Sequence, residues 1–232
     1  MQLCQALRLE ATDSGTGPST VVSQTGELGR FCTWIASAWT ELQQEREDWK
    51  WMRKSFTCPT VSGTSAYAYS ATGLVDTVSL TAVSRFGSWS KKRRDWKAYL
   101  TSGGVSGEYF LNLLDWESFK YLYRKGTQTS AQPVHVSIDP TMKFCLGPAP
   151  DAVYTVSGDY IIGPQTLALD ADEPEMPSRF HRLITYEALS KYGGNRAAPE
   201  AMLRALTEGA RLRAALELDQ LPRFTMGRPM GG

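Results

Sequence analysis

The sequence predicts an α+β protein: a helical bundle formed by N- and C-terminal helices, an inserted antiparallel β domain, and an extended C-terminal tail. Three observations carry this. Apolar residues recur at three- and four-residue spacing near both ends of the chain, the residues between Cys58 and Asp170 are rich in β-branched and aromatic types broken by turn signals, and the last residues hold too many Pro and Gly to continue a helix. The corresponding boundaries are 1–56 for the N-terminal helical part, 57–170 for the β insertion, 171–219 for the C-terminal helices and 220–232 for the arm.

Each element has its own signature. A short helix is expected around Leu3 to Leu9, followed by a Gly/Ser/Thr/Pro loop from Thr12 to Thr20. In "GELGRFCTWIASAWTELQQERED", Leu28, Phe31, Ile35, Ala38, Trp39 and Leu42 form one apolar stripe. In the β region, "SAYAYSATGLVDTVSLTAVSRF", "PVHVSID", "MKFCLGP" and "AVYTVSGDYIIG" read as antiparallel strands, with Gly73, Gly147-Pro148 and Gly158 at or beside turns. One helix near 115–125 interrupts them: Asp115 is its N-cap, Trp116, Phe119, Tyr121, Leu122 and Tyr123 its apolar side, and Gly126 its terminator.

Helix returns in "LALDADEPEMPSRFHRLITYEALSKYGG", where Ser178 is the expected N-cap, Phe180, Leu183, Ile184, Ala188 and Leu189 the stripe, and Gly193-Gly194 the stop. A last helix starts near Pro199 and carries Met202, Leu203, Leu206, Ala210 and Leu216 to about Asp219. Terminal helices that each bury one stripe are expected to pack on one another.

Composition narrows the function. With 25 Lys+Arg against 24 Asp+Glu, the net charge of +1 recruits neither nucleic acid nor an anionic membrane, so any polyanion contact must be local. Arg8 and Glu10 interrupt the apolar core that a signal peptide needs, and no apolar run reaches membrane-spanning length, which points to a soluble protein made in a cytoplasm. Cys4, Cys32, Cys58 and Cys145 lie far apart with no C-x-x-C, and read as buried free thiols.

Candidate chemistry is sparse. Asp170, Asp172, Glu173 and Glu175 lack the spacing of a calcium loop and read as a solvated strand-to-helix connector; an acid/base or metal site with His181 is the enzymatic alternative. "GVSGE" lacks the last glycine of G-x-S-x-G, and His135 alternates with Val134 and Val136 as a strand-face residue does. The concentrated basic feature is Lys91, Lys92, Arg93 and Arg94, either a solvated turn or a phosphate contact, and the latter would make the chain a nucleic-acid-binding module. Phe31, Trp34, Ile35 and Trp39 read as core or subunit interface rather than as base-stacking platforms, a role left open for Trp49 and Trp51.

Four segments in order, "TGELGRFCTWIASAWTELQQEREDWKWM", "YLTSGGVSGEYFLNLLDWESFKYLYRKG", "LGPAPDAVYTVSGDYI" and "LALDADEPEMPSRFHRLITYEALSKYGG", resemble the head-to-tail adaptor proteins of tailed bacteriophages. The resemblance implies a structural virion protein of the neck and no enzyme or cofactor. It implies a homo-oligomeric ring of twelve subunits beneath the portal protein, joined to a downstream neck or tail protein, with transient, sequence-independent contact with the genome. Other neck rings, stoppers or gateway proteins, are the alternative. It also turns the C-terminal segment into a portal-docking arm, with Phe224, Met226 and Met230 as apolar anchors and Arg223 and Arg228 facing carboxylates.

Overall fold

The computed structural model describes residues 1–11 and 17–221; the C-terminal arm with Arg223, Phe224, Met226, Arg228 and Met230, and most of the Thr12 to Thr20 loop, lie outside them. The protein is mixed α+β, with five α-helices and both antiparallel and mixed sheets among the described residues, divided into two compact units. One unit comprises residues 1–52 and 164–232, the other 53–163.

In the first unit, helices α1 (Gln2–Glu10), α2 (Gly26–Gln44) and α5 (Pro199–Gln220) all pack against α4 (His181–Arg196). The α2 stripe behaves as its spacing requires: Phe31, Ile35, Ala38, Trp39 and Leu42 are buried. Helix α4 buries Leu183, Ile184, Ala188 and Leu189 as expected, but also Tyr186, Tyr192 and Gly193, because it has neighbours on several sides.

Three expectations at the C-terminal helices are corrected. Ser178 opens a 3-10 turn, Ser178–Phe180, rather than capping α4; the tighter turn tucks Phe180 into the core, and Phe180 N–H donates to the Pro177 carbonyl at 2.9 Å. Gly193 and Gly194 do not stop α4, which runs to Arg196 and ends with Ala197 in the left-handed region. At Gly193 a Cβ would lie 3.0 Å from Met202 Cβ and 3.1 Å from its backbone nitrogen, so this glycine marks the close approach of α5. The α5 stripe is also rotated. Ala205, Gly209, Leu216 and Gln220 are buried, while Leu203 and Leu206 are 67% and 56% exposed and Met202 is exposed too. Small residues let the two helix backbones approach, with Tyr186 Cβ only 3.7 Å from where a Gly209 side chain would begin, and the leucines are left facing outward.

Ion pairs tie the helices together at the surface. Arg182 and Arg204 both reach Glu10, at 2.9 and 3.4 Å, Lys191 meets Glu41 at 2.7 Å, and Arg213 joins Glu187 at 2.7 Å and also Glu45. Exposed pairs of this kind contribute about 0–1 kcal/mol each. The unit therefore depends mainly on its apolar interior.

The second unit is built on two sheets. The larger takes the order β3 (Val75–Asp76), β1 (Arg53–Pro59), β10 (Tyr154–Ile162), β5 (Lys97–Leu100), β6 (Tyr109–Phe110), with β4 (Phe86–Trp89) also on β10. Strand β10 alternates strictly between buried and half-buried residues, the period-2 pattern of one core-facing side. Phe56 of β1 pairs with Gly158 of β10. Gly158 is thus mid-strand rather than beside a turn: a Cβ there would meet the Phe56 ring at 2.9 Å. Phe56 has ring centroids of Trp89, Trp96 and Phe144 at 4.8, 5.5 and 5.9 Å, so the interior of this unit is largely aromatic.

The smaller sheet runs β2 (Ala66–Tyr67), β9 (Phe144–Gly147), β8 (His135–Ile138), β7 (Asn112–Leu113). Here the expectation of purely antiparallel pairing fails, because β7 and β8 are parallel. Helix α3 (Trp116–Tyr123) lies between them in sequence and supplies the crossover that parallel strands need. Asp115 caps it, accepting from Ser118 N–H at 2.9 Å. Of its expected apolar side Phe119 is buried, whereas Tyr121 and Leu122 are exposed. The helix stops at Tyr123, before Gly126.

Candidate functional site

The basic residues Lys91, Lys92, Arg93 and Arg94 form the turn between β4 and β5, and all four side chains are exposed. The turn is held from beneath. Trp89 and Trp96 on either side of it are buried, and Trp96 Nε1–H donates to the Ser90 carbonyl at 2.9 Å. Asp95, the acid adjoining the four cations, is engaged by the Arg53 guanidinium and the Ser90 hydroxyl. Arg53 in turn holds Asp159 at 2.7 Å, and Ser55 donates to the same carboxylate at 2.7 Å. With Asp95 committed to Arg53, none of the four cations forms an ion pair among the described residues, and they present concentrated positive charge on a fixed turn. Such a patch suits phosphate oxygens but carries no ordered base-edge geometry.

A second feature was not legible in the sequence. The loop after β3 exposes Val78 (82%) and Leu80 (75%) at its tip. Its shape is fixed by Asp76, whose carboxylate accepts from Val78 N–H at 2.9 Å, Ser79 N–H at 2.8 Å and the buried Tyr160 hydroxyl at 3.0 Å. Burial alone would raise the Asp76 carboxyl, yet these hydrogen bonds outweigh it and hold the group below the usual carboxylate range. Leu80 has φ +55°, a conformation that costs a non-glycine residue about 1–3 kcal/mol. The loop thus holds two apolar side chains in solvent at fixed positions.

The ring/core residues divide. Phe31, Ile35 and Trp39 are buried, with Trp39 Nε1–H donating to Gln165 Oε1 at 3.2 Å. Trp34 is half-buried, edge-on to Phe31 at 5.8 Å and to Tyr192 at 6.0 Å. Trp49 is buried and stacks on Trp51 at 4.5 Å. Buried rings cannot stack on bases, which excludes Trp39 and Trp49; Trp34 and Trp51 are half-buried, and Trp51 already lies near-parallel to Trp49 and Trp39.

The acidic connector is used locally. Asp172 Oδ2 accepts from Ala168 and Leu169 N–H, both at 2.7 Å, and Asp170 Oδ1 accepts from Val21 N–H at 2.6 Å. The backbone N–H groups hold both carboxyls below their ordinary range, with the Thr20 hydroxyl adding to the effect at Asp170. His181 Nε2 lies 3.0 Å from the Met176 carbonyl. These bonds shape the entry to α4, and among the described residues no group of three or more His, Cys, Asp or Glu side chains is placed to hold a metal ion.

This connector, α1 and α2 enclose a cavity of about 720 Å³ lined by Leu3, Cys4, Cys32, Ile35, Leu167 and His181 among others. Cys4 and Cys32 were separate thiols in the sequence. In the fold they line the same cavity, and burial, followed by the influence of Cys32, pushes the Cys4 thiol up to about 12. No periodicity signals that positions 28 residues apart share a cavity. Cys58 and Cys145 are buried in the other unit, as expected for inert thiols.

No curated protein matches the chain. The family model described as SU10 adaptor protein matches residues 2–230, which spans both units, the basic turn, the connector and nearly all of the C-terminal arm. On that match the chain belongs to the SU10 adaptor protein family, a family of phage adaptor proteins.

Proposed function

We propose that this chain is a structural virion protein of the neck, a head-to-tail adaptor that forms a dodecameric ring under the portal and continues the DNA channel toward the tail. The observation that carries the reading is the family match over residues 2–230. A subunit that repeats around an axis needs two different patches that meet heterologously and close. Two exposed apolar features support this: the fixed Val78/Leu80 loop, and the α5 face with Leu203, Leu206 and Leu218. No helix among the described residues is long and apolar enough to cross a membrane.

In this reading the helical body, expected over 1–56 and 171–219 and bounded in the fold at Met52 and Pro164, is built around Phe31, Trp34, Ile35 and Trp39. The inserted β domain, expected over 57–170, is the unit 53–163, and 220–232 is the arm. The four cations at Lys91 to Arg94 take an outward or inter-subunit position or, if they face the channel, meet DNA phosphates without reading sequence; tail-ward neck proteins are the other partners. The arm docks through Phe224, Met226 and Met230, with Arg223 and Arg228 pairing with carboxylates of the portal. Burying three such side chains contributes roughly 1.5–3 kcal/mol each, whereas ordering about eleven residues costs on the order of 1–2 kcal/mol per residue. Attachment therefore also requires backbone pairing with the portal and repetition around the ring.

The test is a chain ending at Leu221. A truncated protein that keeps the thermal transition of the full chain but no longer joins portal particles supports the docking arm. One that joins them equally well refutes it.

A further inference from the structure

We propose that Cys4 and Cys32 form a redox modification site: a dithiol that a small disulfide of the glutathione class converts into an intramolecular bond fastening α1 to α2. Helices α1 and α2 are packed together with one thiol on each, near enough for Cys32 to influence Cys4. Both line the same cavity of about 720 Å³, a volume in the range that admits small molecules. Cys4 is buried and Cys32 only half-buried, so a reagent entering the cavity reaches Cys32 first. The bond brings the two sulfurs to about 2.05 Å.

The exchange balances. The Cys32 thiolate attacks one sulfur of the small disulfide and expels one small thiolate, leaving a mixed disulfide on Cys32. Cys4 then gives up its proton, attacks the Cys32 sulfur and expels the second small thiolate. Two protein thiols are oxidised, one small disulfide is reduced to two thiols, and the two protons lost by the protein are taken up by the leaving groups. In a reducing cytoplasm the pair stays open. The occasion for closure, a particle leaving that cytoplasm, rests on the adaptor reading; the chemistry of the pair does not.

The consequence is a latch on the first helix. Closing the loop between positions 4 and 32 lowers the population of undocked α1 by on the order of a hundredfold. The experiment uses the purified full chain with oxidised glutathione, followed by blocking of free thiols, tryptic digestion and mass spectrometry. The expected product links peptides 1–8 and 31–46 with loss of two hydrogen atoms, leaves Cys58 and Cys145 reduced, and slows proteolysis of α1 about a hundredfold until dithiothreitol is added. Cys32 remaining as a stable mixed disulfide with glutathione, or both thiols staying free, would overturn the proposal. Portal attachment plays no part in this readout, so failure of the adaptor reading would leave its result standing.

Discussion

Gly193 and Gly194 are adjacent in one helix, yet replacing each by Ala has opposite expected effects. At Gly194 a Cβ meets nothing within 4 Å, so Gly194→Ala gains only the helical preference of alanine, about 1 kcal/mol. At Gly193 the same methyl group lies 3.0 Å from Met202 Cβ, 3.1 Å from its nitrogen and 3.2 Å from its Cα. Two of these are backbone atoms of α5, and α5 cannot yield without moving as a helix. Overpacking of this kind costs roughly 1–3 kcal/mol, which cancels or exceeds the same propensity gain. The propensity term is common to both variants, so the difference between them isolates the close approach. For a domain of this size each kcal/mol shifts Tm by about 2–4 °C. Differential scanning calorimetry should place Gly194→Ala above the parent and Gly193→Ala at least roughly 2 °C below Gly194→Ala. Equal increases in both variants would refute the close α4/α5 contact, and decreases in both would restore the glycine pair as a helix terminator.

Other outcomes follow from the same geometry. Asp76→Ala removes the acceptor for two loop N–H groups and the Tyr160 hydroxyl and should destabilise the chain by roughly 1–3 kcal/mol in urea unfolding. Because the folded Asp76 carboxyl is depressed, its contribution is present above the ordinary carboxylate value near 4 and is lost as pH falls through the folded value. The Ala variant should therefore show a flatter acid limb, and an unchanged limb contradicts the assignment. Replacing Lys91, Lys92, Arg93 and Arg94 by Gln should leave stability within about 0.5 kcal/mol but reduce the salt dependence of DNA binding by assembled rings. An unchanged salt slope would exclude the turn from DNA contact. Leu206→Asp, on the exposed face of α5, should fold normally and fail to assemble, whereas Leu216→Ala should cost about 2–5 kcal/mol of monomer stability. Normal assembly of the Asp variant, seen by sedimentation, would clear that face of an interface role.

Legibility in the sequence followed the physics of each element. The α2 stripe was readable because one partner face demands one apolar stripe, and β10 because a sheet with one core-facing side demands period two. Helix α4 was found, but its end was misplaced: a glycine that terminates a helix and a glycine that admits a neighbour look alike in sequence, and only the 3.0 Å approach of Met202 separates them. The α5 face was misassigned for a related reason. Hydrophobicity favours leucine for the core, while close packing selected Ala205 and Gly209 and turned Leu203 and Leu206 outward. The parallel β7–β8 pair depends on a crossover through α3 that short strands do not announce. Among candidate sites, the basic turn was visible as a charge run. The neutralisation of Asp95 by Arg53, the Asp76-braced loop and the meeting of Cys4 and Cys32 on one cavity all join residues distant in sequence and needed the fold.

The central claim is assembly into a closed ring on a portal. Cryo-electron microscopy of the full chain mixed with portal particles, with native mass spectrometry of the same sample, tests it most directly. Twelve copies are expected in one ring beneath each portal, with the same two different surfaces meeting at every subunit contact. A chain that remains monomeric and never joins portal or neck particles would contradict it.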